Sequence, residues 1–158
     1  MRGIFMLKPI SAIASAVQAS TTLAIDSLYK QMKADGIDVV GFGTGEPDFP
    51  TPENIKAAGI RAIESNFTKY TPAAGLVALK EAICGRMKAD LNLEYKPSQV
   101  VVASGAKHNV YIALQAVVNP GDEVIIAAPY WVSYYEMIKM AGGVPVVVTA
   151  EESAHFKI

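Results

Sequence analysis

The fold is decided by residues 100–149, which read VVVASGAKHNVYIALQAVVNPGDEVIIAAPYWVSYYEMIKMAGGVPVVVT. Apolar runs bounded by turn residues predict three buried strands, at 100–103, 124–128 and 144–149. Apolar residues at helical spacing predict two helices between them, at 109–118 and 131–141. Strands that are apolar on both faces and alternate with helices are typical of a parallel sheet covered by helices. The sequence therefore predicts an α/β fold with three layers, helix, sheet and helix, around a mostly parallel sheet.

The residues before this stretch predict helices joined by loops. Helical spacing predicts a helix over 20–34, with hydroxyl side chains as candidate caps at its start and Gly36 at its end. Residues 37–42 predict a short strand. Two more helices are expected, one starting at Thr51-Pro52 and one at Leu76. Glycine, proline and asparagine mark two loops, at 41–52 and 66–75.

Composition limits the classes of partner. The 158 residues are 51% hydrophobic, which is enough for one domain with a sizeable core. The formal net charge is -1 and no basic cluster occurs, so a nucleic-acid partner is not expected. No stretch approaches the roughly 18 apolar residues of a membrane span. Cys84 is the only cysteine and is expected to be a small buried hydrophobe, so neither a disulfide nor a cysteine metal site is predicted.

The first residues faintly resemble a secretion signal. Residues 4–7 are apolar and follow Met1-Arg2, but Lys8-Pro9 ends the run. A signal requires an unbroken apolar stretch of roughly 7–15 residues. We therefore expect no secretion signal and a cytoplasmic protein, and the single cysteine agrees with a reducing compartment.

A candidate phosphate site lies at Ser104–Lys107, between a predicted strand and a predicted helix. Ligands of open parallel sheets bind outside the carboxyl ends of the strands. Gly105 and Ala106 have almost no side chain and would let a phosphate approach backbone N–H groups at the positive end of a helix. Ser104 can donate to a phosphate and Lys107 adds positive charge. The alternative is a capped strand–helix turn without a ligand.

A candidate aromatic contact follows the next predicted strand, in Pro129-Tyr130-Trp131. Trp131 alone would be read as a core residue. Beside a phosphate site, its indole could instead stack on the aromatic ring of a phosphorylated cofactor.

The glycines of GFGTG at 41–45 invite comparison with a dinucleotide-binding turn. That motif must open a helix, because the helix N-terminus binds the pyrophosphate. Here the glycines run into EPDFP at 46–50, which cannot begin a helix. A nucleotide-dependent oxidoreductase is therefore not predicted.

Five segments in register resemble the signatures of class I pyridoxal-phosphate-dependent aminotransferases of the aspartate aminotransferase type: GEPDF at 45–49, KYTPAAG at 69–75, SGAK at 104–107, NPGDEV at 119–124 and PYW at 129–131. The resemblance implies the N-terminal part of a fold-type I large domain, incomplete, preceded by an N-terminal helical segment. It implies an arm, helix and short strand of the small domain at 1–45, and the pyridoxal-phosphate-binding large domain at 46–158.

The resemblance also implies roles for individual residues. Gly105, Ala106 and Lys107 resemble the cofactor-phosphate segment, although His108-Asn109 after them departs from the expected glutamine and small residue. Trp131 resembles the aromatic residue that stacks on the pyridine ring and lies near the substrate. Gly45 resembles the glycine whose N–H meets the substrate carboxylate. Tyr70 resembles the tyrosine that reaches the cofactor phosphate of the other subunit in a homodimer.

The implied activity transfers an amino group between an amino acid, with aspartate favoured, and a 2-oxo acid. Prephenate and aromatic substrates remain open. No lysine here matches the one that bonds the cofactor, so the expected catalytic set of this chain is empty, and the chain is expected to be an inactive fragment. The alternative is a non-catalytic module of the same fold that binds a phosphorylated ligand or a partner.

Overall fold

Helices predominate in the computed structural model, which describes residues 10–43 and 45–158. The α-helices are α1 (Ala12–Ala16), α2 (Thr21–Ala34), α3 (Glu53–Glu64), α4 (Val77–Leu91), α5 (Ala106–Val117) and α6 (Ser133–Met140). The strands are β1 (Glu123–Ala128) and β2 (Val144–Thr149). Two short 3-10 helices lie at Pro97–Gln99 and Glu152–Ala154.

The chain forms two compact units. The first comprises Met1–Thr44 with Val110–Ile158, and the second comprises Gly45–Asn109. The division predicted from the family resemblance, at 1–45 and 46–158, remains a prediction. The secretion-signal interpretation falls on residues 1–9, outside the described residues.

The sheet of the first unit is parallel, as predicted. β1 pairs with β2 in a register that runs from Glu123 opposite Val144 to Ala128 opposite Thr149. α6 makes the crossover between them and contacts both strands. Ile138 of α6 is 2% exposed and forms the centre of the small core. The α/β class with a parallel sheet is therefore confirmed.

Burial in β1 differs from the expectation. Its residues alternate between exposed and half-buried, so that α6 covers one face while Ile125 on the other face is 68% exposed. The prediction that the strands are buried on both faces is wrong for the described chain. An all-apolar strand requires a covering layer on each side, and within the described residues only one layer is present.

The turn before β1 is closed by side-chain and backbone hydrogen bonds. Asp122 Oδ2 accepts from the backbone N–H of Asn119 at 2.8 Å and from its side-chain amide at 3.1 Å. The N–H of Gly121 donates to the carbonyl of Gly142 at 2.9 Å, which ties this turn to the end of α6. These bonds set the starting point of both strands and hence their register.

We expect Gly143→Ala to lower the free energy of unfolding by about 1 kcal/mol, because a methyl group there overpacks the core. A Cβ at Gly143 would lie 2.9 Å from Val118 Cγ1 and 3.0 Å from Ile138 Cγ2. Gly85→Ala is the matched control, since nothing lies within 4 Å of a Cβ in that part of α4. It should raise stability by about 0.5–1 kcal/mol through higher helix propensity. Urea unfolding of both variants measures the two effects. Changes of the same sign in the free energy of unfolding would contradict this account.

The second unit is tied together at the end of the 66–75 loop. The N–H of Val102 donates to the carbonyl of Ala74 at 3.1 Å. Gly75 has a φ of +98°, and a Cβ there would lie 2.7 Å from the side chain of Val102. Glycine is therefore required at this position for both its conformation and its space. Cys84 is half-buried in α4, less than expected.

Two predicted strands are absent and one helix starts elsewhere. Residues 100–103 and 37–42 form no ladder, and Val101 is 56% exposed. An apolar run becomes a strand only when a neighbour completes its hydrogen bonds, and no described segment pairs with either.

The helix predicted at 109–118 begins at Ala106, so Ala106 and Lys107 lie in its first turn rather than in the preceding turn.

No helix within residues 10–43 and 45–158 is both long and apolar enough to cross a membrane.

Candidate functional site

The predicted phosphate segment lies at the start of α5. Gly105 has a φ of +85°, a conformation that glycine adopts without strain, and the N–H of Asn109 donates to its carbonyl at 3.2 Å. The backbone N–H groups of the first helical turn have no acceptor within the helix. That of Ala106 lies at the helix end, where an anion is favoured, and Lys107 adds positive charge in the same turn. The N–H of Gly105 donates to Ala103 at 2.9 Å instead.

This segment fits a phosphate ester. A Cβ added at Gly105 would meet nothing within 4 Å, so the surroundings of the helix end are open. α5 contains no acidic residue in its first turn, so nothing there repels an anion. Together these features make the start of α5 suited to the phosphate of a cofactor.

Tyr70 lies in the loop between α3 and α4 and is fully exposed. Its hydroxyl makes no hydrogen bond within the described part of the chain. Two residues before it, the N–H of Thr68 donates to the carbonyl of Asn66 at 2.8 Å. The far end of the loop is fixed by the bond between Ala74 and Val102. The loop therefore presents Tyr70 outward from a backbone that is anchored on both sides.

Gly45 begins the second unit beside Thr44, which lies outside the described residues. It is exposed, and a Cβ there would meet nothing within 4 Å. No packing reason for glycine is therefore visible at this position. The role that the resemblance gives to its N–H stays a prediction.

Trp131 follows β1 at the carboxyl edge of the sheet and is 42% exposed. Its ring meets the ring of Tyr134 edge to face, with centroids 5.4 Å apart and an interplanar angle of 90°. An edge-to-face contact of this kind restrains the orientation of an indole. The indole is thus held at the edge where ligands of parallel sheets bind, and enough of its surface is accessible to contact an aromatic ring.

A cleft of about 340 Å³ lies beside this aromatic segment in the first unit. One wall is the connector between α1 and α2, with the start of α2. The other is formed by residues before and within α6. Its lining residues are Val17, Gln18, Ala19, Ser20, Thr21, Tyr130, Val132, Ser133, Tyr135 and Glu136. The cleft is therefore bounded by the residue that directly precedes Trp131.

The predicted site residues are divided between the two units. Gly45, Tyr70 and the segment Gly105–Lys107 lie in the second unit, whereas Trp131 lies in the first. Within residues 10–43 and 45–158, no group of three or more histidine, cysteine, aspartate or glutamate side chains could hold a metal ion.

Sequence reasoning missed Glu136 and Lys139, which line or brace the cleft from α6. Oppositely charged residues three positions apart are common on helix surfaces and ordinarily pair only with each other. Their contacts with the α1–α2 connector join residues more than a hundred positions apart. α1 itself was not predicted, although Ser11 caps it by accepting from the N–H of Ala14 at 3.2 Å.

Known proteins match this chain along most of its length. The family described as aminotransferase class I and II matches residues 37–158. An aspartate aminotransferase from Bacillus sp. (strain YM-2) is 55% identical over 139 residues, which cover 88% of this chain and 36% of that protein. An aspartate aminotransferase from Bacillus subtilis (strain 168) is 53% identical over 144 residues, which cover 91% and 37%. The chain thus spans somewhat more than a third of the length of these curated relatives.

A solved structure shares the fold. The chain is similar to the aspartate aminotransferase from Thermus thermophilus with maleate, with a TM-score of 0.90 and 38% sequence identity. The match covers 95% of this chain and 39% of that one. The fold is therefore that of part of a fold-type I aminotransferase, as the sequence motifs implied. Because the family match includes every segment that carried the resemblance, this chain belongs to the aminotransferase class I and II family.

Proposed function

We propose that the protein containing this chain is a pyridoxal-phosphate-dependent aminotransferase that moves an amino group between an amino acid and a 2-oxo acid. Aspartate is the proposed donor and 2-oxoglutarate the proposed acceptor. The observation that carries this proposal is the 55% identity over 139 residues with an aspartate aminotransferase. The open helix end at Ala106 and the accessible indole of Trp131 support it, because they suit the phosphate and the ring of the cofactor.

In the proposed site, each residue of this chain either binds or orients the cofactor or the substrate. The N–H of Ala106 and the positive charge of Lys107 hold the cofactor phosphate at the start of α5, where the helix dipole favours negative charge. Trp131, braced by Tyr134 at 5.4 Å, limits the tilt of the cofactor ring by stacking on it. The bound cofactor supplies an electron sink for the substrate carbon that loses its proton.

The substrate and assembly assignments complete the proposal. The N–H of Gly45 binds the substrate carboxylate, and Trp131 lies near the substrate as well as the cofactor. Tyr70 binds the cofactor phosphate of the other subunit in a homodimer, which its full exposure allows. Residues 1–45 belong to the small domain and residues 46–158 to the large domain. The single cysteine suits the cytoplasm as the proposed location.

Transamination by the protein that contains this chain is the direct test. With pyridoxal phosphate, L-aspartate and 2-oxoglutarate, we expect glutamate to form at a rate well above that of the cofactor without protein. Coupled detection of oxaloacetate and glutamate should give equal amounts, because the amino group is transferred and not released. Binding of pyridoxal phosphate without any amino transfer would contradict the proposal and favour a non-catalytic module of the same fold.

A further inference from the structure

Glu136 and Lys139 of α6 form hydrogen bonds with the backbone at the end of α1 and in the connector between α1 and α2. Lys139 Nζ donates to the carbonyl of Ala16 at 2.8 Å. The backbone N–H of Gln18 donates to Glu136 Oε2 at 3.3 Å. The two side chains also pair with each other, with 3.3 Å between Lys139 Nζ and Glu136 Oε2. One carbonyl at the end of α1 and one N–H of the connector thus both bond to a single ion pair on another helix.

This pair is shielded from water, unlike an ordinary surface pair. The side chains of Lys139 and Glu136 are 27% and 22% exposed. The Lys139 ammonium also lies 5.7 Å from the ring centroid of Tyr135. By contrast, Glu53 and Lys56 of α3 have the same spacing and are 87% and 40% exposed. Shielding weakens screening by salt, so the pair of Glu136 and Lys139 is less sensitive to ionic strength than an exposed pair.

The gripped connector forms a wall of the cleft beside Trp131. Residues 17–21 line one side of that cleft, and Tyr130 lines the other. The ring of Tyr130 stacks on that of Tyr135 with centroids 6.5 Å apart and an interplanar angle of 9°. The position of the connector therefore sets the width of the cleft next to the residue that precedes Trp131.

We propose that Glu136 and Lys139 are positioning residues, which clamp the end of α1 at Ala16 and the connector that follows it, and so fix the wall of the cleft beside Trp131. This assignment rests on the proposed function. It means that the clamp affects the affinity for the amino-acid substrate and not the rate of the chemical step. The two side chains contact Ala16, Gln18 and Tyr135, none of which is placed around the cofactor. A loosened connector leaves the proposed phosphate segment at Gly105–Lys107 unchanged.

Lys139→Met tests the clamp, because methionine keeps much of the side-chain length and removes the charge and the donors. Hydrogen exchange of the Gln18 amide in the complete protein should become about tenfold faster, because the charge-assisted bond from Lys139 to the Ala16 carbonyl no longer holds the backbone in place against Glu136. The KM for L-aspartate should rise about tenfold while kcat stays within about twofold, as expected when ground-state and transition-state binding fall equally. Lys139→Arg, which keeps the charge and the donors, should restore both values.

The control is Lys56→Met, which breaks the exposed pair of the same spacing in α3 and should change neither exchange at Gln18 nor KM. Glu136→Gln serves as a second variant, because its amide oxygen still accepts from Gln18 and folding is less disturbed. Unchanged exchange at Gln18 in Lys139→Met would overturn the clamp. Faster exchange with an unchanged KM would overturn the positioning role. If the unmodified protein shows no amino transfer, the proposed function fails, and exchange alone then decides for or against the clamp.

Discussion

Residues 1–158 expressed alone are expected to form no glutamate from aspartate and 2-oxoglutarate above the background of free pyridoxal phosphate. Relative to the proposed activity of the protein that contains them, the expected loss is complete. The reaction requires a lysine that bonds the cofactor and then moves a proton at the substrate carbon. The family resemblance places no lysine of this chain in that role.

The lysines that are present have other environments. Four of them pair with carboxylates within about 3.3 Å: Lys30, Lys56, Lys88 and Lys139. A charged, paired ammonium is a poor nucleophile, because the reactive form is the neutral amine. Lys107 lies exposed in the first turn of α5, at the end that suits a phosphate.

Lys107→Ala in the 158-residue chain is the informative control. If the chain alone forms glutamate and Lys107→Ala abolishes it, Lys107 supplies the missing amine and its assignment to the phosphate is wrong. Glutamate formation that survives Lys107→Ala would point to another lysine. Either result would show that these residues carry more of the active site than the family motifs indicate.

The parallel sheet was predictable because its signals are local. The turn NPGD at 119–122 and the pair Gly142-Gly143 bound the two apolar runs, and both became strands at nearly the predicted residues. Pairing of β1 with β2 then follows from the intervening helix, since short crossovers join parallel neighbours. Helix α2 was predicted equally well from the residue types at its ends. The Ser20 side chain accepts from the N–H of Leu23, and Gly36 after the helix has a positive φ.

The run at 100–103 shows where local signals fail. Its apolar character indicates burial, but strand formation depends on a neighbour that no local pattern specifies. The structure instead joins Val102 to Ala74 by a hydrogen bond between loops. The error at α5 has another cause. Gly105 and Ala106 were read as turn residues, whereas alanine is the best helix former and starts the helix directly after the glycine.

The candidate site was predictable only through motifs in register. Ser104–Lys107 alone could be a capped turn, and Trp131 alone could be a core residue. Only the order of the five family segments indicated that both belong to one cofactor site. Glu136 and Lys139 had no such motif. Their contacts with Ala16 and Gln18 arise from the packing of α1 against α6, which spacing along the sequence cannot indicate.

Tyr70→Phe in the complete protein is expected to weaken binding of pyridoxal phosphate by about 0.5–3 kcal/mol, the range for one hydrogen bond to a neutral or charged group. In affinity this is about 2- to 150-fold. The ring of Tyr70 is fully exposed, and its hydroxyl has no partner within the described residues, so the substitution should not disturb the fold. Fluorescence titration with the cofactor measures the effect, and equal unfolding curves for both proteins would confirm that only binding has changed.

The crossing of Tyr70 between subunits is tested by a mixed dimer. One subunit carries Tyr70→Phe, and the other keeps Tyr70 but has its cofactor-bonding lysine replaced. Only the first subunit can then hold the cofactor covalently. In a two-fold dimer each subunit gives the same surface to its partner, so a crossing tyrosine from the second subunit reaches the site of the first. That site should therefore bind the cofactor as tightly as the unmodified protein does. Weakened binding there would show that Tyr70 acts within its own chain. The exposed loop would then have to fold back toward the start of α5, to which its far end is tied through Ala74 and Val102.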